Sequence, residues 1–181
     1  AQLNSKIWTL SGFATDVYRS GGANTAANFA RGATTGNVTT GGLYALNYGT
    51  GGSNQALMIQ PTGTVFFNAD ANMNLQVCNN SGSTLTSIDL SYDILVRNDQ
   101  GRANNFNFFY STDGFNYTQV TALNYTSPAD ADATPAYVTI PRNTTLTGLN
   151  IPNGAMFFLR WKGGDAGGSG SRDEFALDNI T

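Results

Sequence analysis

Along most of the chain apolar residues alternate with polar ones. The run "TSIDLSYDILVR" (86–97) places Ile88, Leu90, Tyr92, Ile94 and Val96 on one face. Ser87, Asp89, Ser91, Asp93, Leu95 and Arg97 fall on the other. A period of two predicts a strand whose first face enters a core and whose second face meets water. Shorter runs repeat the pattern: "KIWTLSGF", "LYALNY", "ALMIQ", "TVFFN", "MNLQVCN", "AYVTI", "TLTGLNI", "MFFLRWKG" and "FALDNI". "FNFFYSTDGFNYTQV" (106–120) reads as a hairpin. Its Asp113 can hold the turn through its carboxylate, and Gly114 supplies a positive φ. Trp8 and Trp161 lie within strand patterns, so core positions are expected for both.

No helical periodicity stands out beyond a possible turn at "TAANFARG" (25–32). About ten to twelve strands with closely spaced turn signals predict an all-β fold, a two-sheet antiparallel β-sandwich of jelly-roll type. Residues 20–42 are rich in Gly, Ala, Asn and Thr and predict a long polar loop. "TALNYTSPADADATPAY" reads as a polar linker. No internal repeat or second domain is visible, so residues 1–181 are expected to form one domain.

Composition agrees with strands. Only 12% of residues are charged, with one glutamate and two lysines, too few for the exposed faces of helices. The net charge of -3 and a pI near 4.6 come without a basic stripe. That argues against nucleic acid and against direct membrane insertion, since no apolar run approaches a span. The chain has no histidine, which removes the common triads and imidazole metal sites. Cys78 stands alone and is expected to act as a small buried hydrophobe. Six Asn-x-Ser/Thr triplets occur, no more than so much Asn, Ser and Thr explains. A first residue of Ala suggests a mature secreted chain whose signal peptide has been removed.

Two segments carry candidate chemistry. The lone Glu174 lies with Asp165, Asp173 and Asp178 around a glycine-serine run, with Arg160 and Arg172 close by. Oxygen-only ligands of this kind suit a structural Ca²⁺, and Asp16 could join them; solvation or pairing with arginine is the alternative. The second segment is "RNDQGRANNFNFF" (97–109). Arg97, Asn98, Asp99, Gln100, Arg102 and Asn104 combine amides, a carboxylate and guanidiniums beside aromatics. Such groups bind sugar hydroxyls while a ring packs on the sugar face; an ordinary polar loop is the alternative. A hydrolase would need Asp173 or Glu174 to face Asp99 or Asp93 across about 5–10 Å, and nothing in the sequence places them together.

The stretches "LSYDILVRNDQGRANNFNFFYSTDGFNYTQV", "LNYTSPADADATPAYVTI" and "FFLRWKGGDAGGSGSRDEFALDNI" together resemble a domain of large secreted and cell-surface bacterial proteins, often of Bacteroidota. That domain commonly sits beside nucleases, lamin-tail-like domains and adhesive repeats, and its carriers often use type IX secretion. The ending "ALDNI" is also similar to MAM-like and galactose-binding-like jelly rolls. This second resemblance implies a jelly roll and a structural Ca²⁺ at Asp173, Glu174 and Asp178. "WKGGDAGG" departs from the pattern in carrying fewer acids. Together these readings lead to the expectation of a non-catalytic extracellular module that binds a glycan or a surface protein. A self-assembling subunit of a surface filament or outer-membrane-associated assembly is the alternative, and a polysaccharide hydrolase the second.

Overall fold

A computed structural model describes residues 6–13, 32–66 and 71–181. Twelve strands form: β1 (Trp8–Ser11), β2 (Ala33–Thr34), β3 (Gly42–Tyr48), β4 (Asn54–Gln60), β5 (Asn72–Cys78), β6 (Leu85–Arg97), β7 (Arg102–Ser111), β8 (Thr118–Gln119), β9 (Tyr125–Thr126), β10 (Tyr137–Ile151), β11 (Met156–Gly168) and β12 (Glu174–Asp178). Two short 3-10 turns, Thr50–Gly52 and Thr121–Leu123, are the only helical pieces among the described residues. The first sheet runs β1-β5-β11-β7-β8, with β9 also paired to β7. The second runs β10-β6-β12-β4-β3-β2. From β5 to β7, and again from β10 to β12, the chain passes from one sheet to the other at each connection. The result is the expected sandwich, antiparallel except where β2 meets β3.

The core lies between the sheets. Trp161 is fully buried and meets Tyr92 and Phe108 edge-on at 5.5 and 5.4 Å, while Trp8 stacks on it at 6.0 Å. Burying one such side chain stabilises the fold by roughly 1.5–3 kcal/mol. Tyr92 keeps its hydroxyl satisfied by donating to the Leu123 carbonyl at 2.8 Å. Phe106 stacks on Phe175 at 5.8 Å and so ties the two sheets together.

Several local expectations change. "TVFFN" forms no strand through Phe66, its last described residue before 71: Phe66 takes a φ of 48° and drops its ring into the core. A Cβ at Gly163 would lie 2.3 Å from that ring, so β11 needs a glycine there. "AYVTI" and "TLTGLNI" join into the single long edge strand β10, which carries Pro141. Pro141 offers no N–H to a passing strand and blunts that edge. Leu95 does not face water, because it joins Tyr44, Leu46, Ala56, Met58 and Ala176 in a second buried cluster on the outer side of the second sheet. Cys78 is half-buried on the outward side of β5 rather than in the core. The part of the predicted 20–42 loop that is described contains β2 and the start of β3. The helical turn at 25–32 and Asp16 lie outside the described residues, apart from Gly32.

Candidate functional site

The segment 98–101 joins β6 to β7 at one end of the sandwich and is mostly occupied in holding that end together. Asn98 donates to the Asp130 carbonyl and the Asp132 carboxylate, both at 2.9 Å. Arg97 and Asp99 form an ion pair at 3.6 Å. Arg102 donates to the Gly170 carbonyl at 3.0 Å and to Asp165 at 3.1 Å, and the buried Asn104 donates to Asp165 at 3.2 Å. Arg172 closes the clamp with two bonds to Asp165, at 2.7 and 2.6 Å. Gln100 lines a cleft, a space of about 330 Å³ bounded also by Val38, Gln60, Thr62 and Arg172.

The four predicted metal ligands have separate partners. Asp165 is saturated by the two guanidiniums and one amide just described. Glu174, almost fully buried, accepts from the Asn37 and Val38 N–H groups at 3.0 and 2.6 Å and from the Tyr137 hydroxyl at 2.5 Å. Burial, and then the Glu174 carboxylate, hold Tyr137 well above its ordinary pKa, so it remains a donor. Asp178 sits at the far end of β12 and accepts from the Tyr48 hydroxyl and from Asn54. Burial and the Asp178 carboxylate push Tyr48 up to about 12. Asp173, fully buried, accepts from the Gln100 N–H at 3.0 Å. Its second oxygen has no partner in hydrogen-bond geometry. Burial raises the Asp173 carboxyl; the Ser127 hydroxyl and the loop N–H groups oppose that rise, and the Asp99 charge adds to it. The four carboxylates thus do not share one centre, and no group of three or more metal-ligating side chains converges among the described residues. Of the candidate hydrolytic carboxylates, Glu174 has both oxygens engaged in these internal bonds and Asp173 has one.

A different surface has the chemistry that the loop lacks. With Phe157, Leu159 and Trp161 buried, alternation turns Phe158, Arg160 and Lys162 of β11 outward. Register sets Arg160 between Asn74 of β5 and Phe109 of β7. Lys162 lies between Asn72 and Asn107. The guanidinium of Arg160 is 3.2 Å from the Tyr117 ring centroid and donates to Asn74 at 2.5 Å. Partial burial lowers the Arg160 pKa, which marks a cation with part of its hydration removed. Lys162 stands 5.6 Å from the Phe109 centroid. Asn74 in turn donates to Thr9 and Asn72, so the amide row is fixed in place.

The β7–β8 turn projects at the edge of this face. Asp113 accepts from the Phe115 and Asn116 N–H groups at 2.8 Å each, from the Asn116 side chain at 2.7 Å and from Ser111 at 2.9 Å. These bonds hold its carboxyl far below the usual carboxylate range. The turn so locked displays Phe115, which is 89% exposed, two residues before Tyr117. Sequence reasoning recognised the turn but not the platform. The outward rows Asn72, Asn74, Gln76 and Phe158, Arg160, Lys162 were readable as alternation, yet only strand register places them side by side.

No protein-family model matches the chain, and no curated protein does. Among solved structures it is similar to the CBM22-1 and GH10 modules of the N-terminal endo-1,4-beta-D-xylanase 10B of Clostridium thermocellum complexed with xylohexaose: 11% identity, TM-score 0.45, covering 99% of this chain and 26% of that one. It is also similar to a family 16 carbohydrate-binding module-2, with 17% identity, TM-score 0.34, and 76% and 79% of the two chains covered. The K2 cleaved adhesin domain of Lys-gingipain gives 16% identity, TM-score 0.41, and 74% of each chain. The chain thus spans about a quarter of the xylanase chain and most of each of the other two. The fold assignment rests on the sheets described above.

Proposed function

We propose that the chain is a non-catalytic, extracellular module that binds glycan on the outer face of its first sheet. The observation that carries this reading is Phe115, held out by a turn that Asp113 locks, beside the Arg160–Tyr117 stack. Sugars offer an apolar ring face flanked by hydroxyls. Fixed aromatic and guanidinium planes bordered by amides complement both parts and lose little side-chain entropy on binding. Asn107 supplies an amide for hydroxyl groups, and the row of Asn72 and Asn74 holds the Arg160 guanidinium in place. Extracellular placement is supported by the composition and by the secreted-domain resemblance. No described helix is long and apolar enough to cross a membrane, a fact that leaves strand-built spans open.

A glycan array followed by titration of the best binder tests the reading. Phe115→Ala is expected to weaken binding about tenfold or more at unchanged melting temperature. A chain that binds no glycan, or a Phe115→Ala variant that binds as the parent does, would refute it.

Calcium is a proposal confined to Asp173. Its second oxygen, with Oδ1 of Asp99 and of Asn98, is buried without a protein hydrogen-bond partner. Oxygens of this kind are what a hard cation takes up. A melting midpoint that rises from EDTA to millimolar Ca²⁺, and does not rise in Asp173→Asn, would support the ion. An unchanged midpoint would remove it.

A further inference from the structure

Arg160 and Lys162, on the first sheet's outer face, have no anionic partner among the described residues. All ion pairs among the described residues use Arg97, Arg102 or Arg172, and all lie at the other end of β7 or in the loop before β12. Arg160 and Lys162 are neighbours along one side of β11, and their cross-strand neighbours Asn72, Asn74, Asn107 and Phe109 are uncharged. The opposite outer face has the reverse character: Asp89, Asp93 and Asp178 project from β6 and β12. Among the described residues the chain thus keeps two adjacent cations without an ion pair on one face, with the Asp113 carboxylate engaged in its own turn at the edge, while Asp89, Asp93 and Asp178 lie on the other. The Tyr117 ring and the Asn74 amide offset part of the hydration that Arg160 loses, and an anion at its terminal nitrogens would add the opposite charge that no described side chain supplies.

The geometry points to an acidic polysaccharide as the ligand of this face, with Arg160 and Lys162 each receiving a carboxylate or sulfate group of the glycan. The inference rests on the glycan-binding reading and narrows it to one chemical class. Arg160 has its Nε occupied by Asn74 and its plane fixed on Tyr117, so its terminal nitrogens are held in one direction. A fixed guanidinium fork suits a carboxylate or sulfate ester, because two parallel donors meet two oxygens. Lys162 is a point charge on a flexible stem and adds attraction without demanding one geometry. The aromatic and amide groups around them distinguish this surface from a bare basic patch. They give a sugar ring something to pack against, which a simple polyanion does not use.

The test is a titration of the whole chain with four probes: polygalacturonate (uronate), chondroitin sulfate (uronate with sulfate ester), neutral xylan, and a single-stranded RNA oligonucleotide. Parent protein is compared with Arg160→Gln, Lys162→Gln, the double variant, Arg160→Lys and, as a remote charge control, Ser87→Asp. The inference predicts binding to one or both acidic glycans, weaker by about tenfold in each glutamine variant and unchanged in Ser87→Asp. Arg160→Lys is expected to recover part of the loss, which separates charge from damage to the Tyr117 stack. Binding should also fall as salt shortens the screening length from ~30 Å at 0.01 M toward ~10 Å at 0.1 M. Preference between the two acidic probes identifies the carboxylate or the sulfate as the recognised group. Equal binding to neutral xylan, unaffected by the glutamine changes, would overturn the acidic ligand and leave the glycan reading intact. Equal binding to RNA would overturn it in favour of non-specific charge attraction. No binding to any glycan would refute both.

Discussion

Glu174→Gln tests how much of this fold hangs on the chain's one glutamate. The carboxylate receives three donors, the Asn37 and Val38 N–H groups and the Tyr137 hydroxyl, in a site with 1% exposure. An amide of the same shape offers one acceptor oxygen where the carboxylate offers two. Its NH₂ must then face one of the three donors. Bonds to a charged group contribute about 1.5–3 kcal/mol, against about 1 kcal/mol for neutral ones, and a buried donor left unpaired costs about 1–3 kcal/mol. Allowing the 37–38 segment to open toward water, the expected loss is about 3 kcal/mol. For a chain of this size that lowers the melting temperature by about 6–12 °C. Tyr137→Phe removes a single donor and should cost about 1–2 kcal/mol. Because the two side chains bond each other, the double variant should be less damaged than the sum by roughly 1 kcal/mol. Urea unfolding of the four proteins at pH 7 measures all three quantities. A Glu174→Gln loss under about 0.5 kcal/mol, or strict additivity with Tyr137→Phe, would refute the idea that this acid is an internal hydrogen-bond acceptor.

Two further outcomes follow from the same structure. Gly163→Ala should destabilise by about 1–3 kcal/mol through overpacking against Phe66, and Phe66→Leu in the same chain should recover part of it, as read by denaturant midpoint. The raised Asp173 carboxyl makes a pH prediction whose sign is set by burial. The folded state binds this proton more tightly than the unfolded chain, so its contribution to stability is greatest below the ordinary value of 3.8 and declines as pH rises through the raised folded value. In EDTA, subtracting the Asp173→Asn profile from the parent profile should isolate a decline that begins near pH 4. A difference that rises with pH over that interval would contradict it.

The alternation in 86–97 was enough to place Leu90, Tyr92, Ile94 and Val96 in the core, because period-two burial is a local property of a strand. Leu95 was misassigned for the complementary reason. Its outward face is covered by Tyr44, Met58 and Tyr137, residues from three distant segments. "TVFFN" is as apolar as a strand, and the packing of the Phe66 ring, at positive φ, against Gly163 is a contact that only the assembled sheets create. The acid cluster looked like one site because its members are close in sequence. Strand geometry separates them: Glu174 and Asp178 lie at opposite ends of β12, and Asp165 is drawn to Arg102 and Arg172 instead. The sheet platform was invisible for the opposite reason. Asn74, Arg160 and Phe109 are far apart in the chain and become neighbours through register alone.

The most direct test of the account is the affinity of the whole chain for its best array glycan, measured side by side for the parent and Phe115→Ala by calorimetry. Glycan recognition on the first sheet's outer face predicts a loss of about tenfold or more in Phe115→Ala, with no change in melting temperature. Equal affinity of the two proteins would contradict it and move the site off this face.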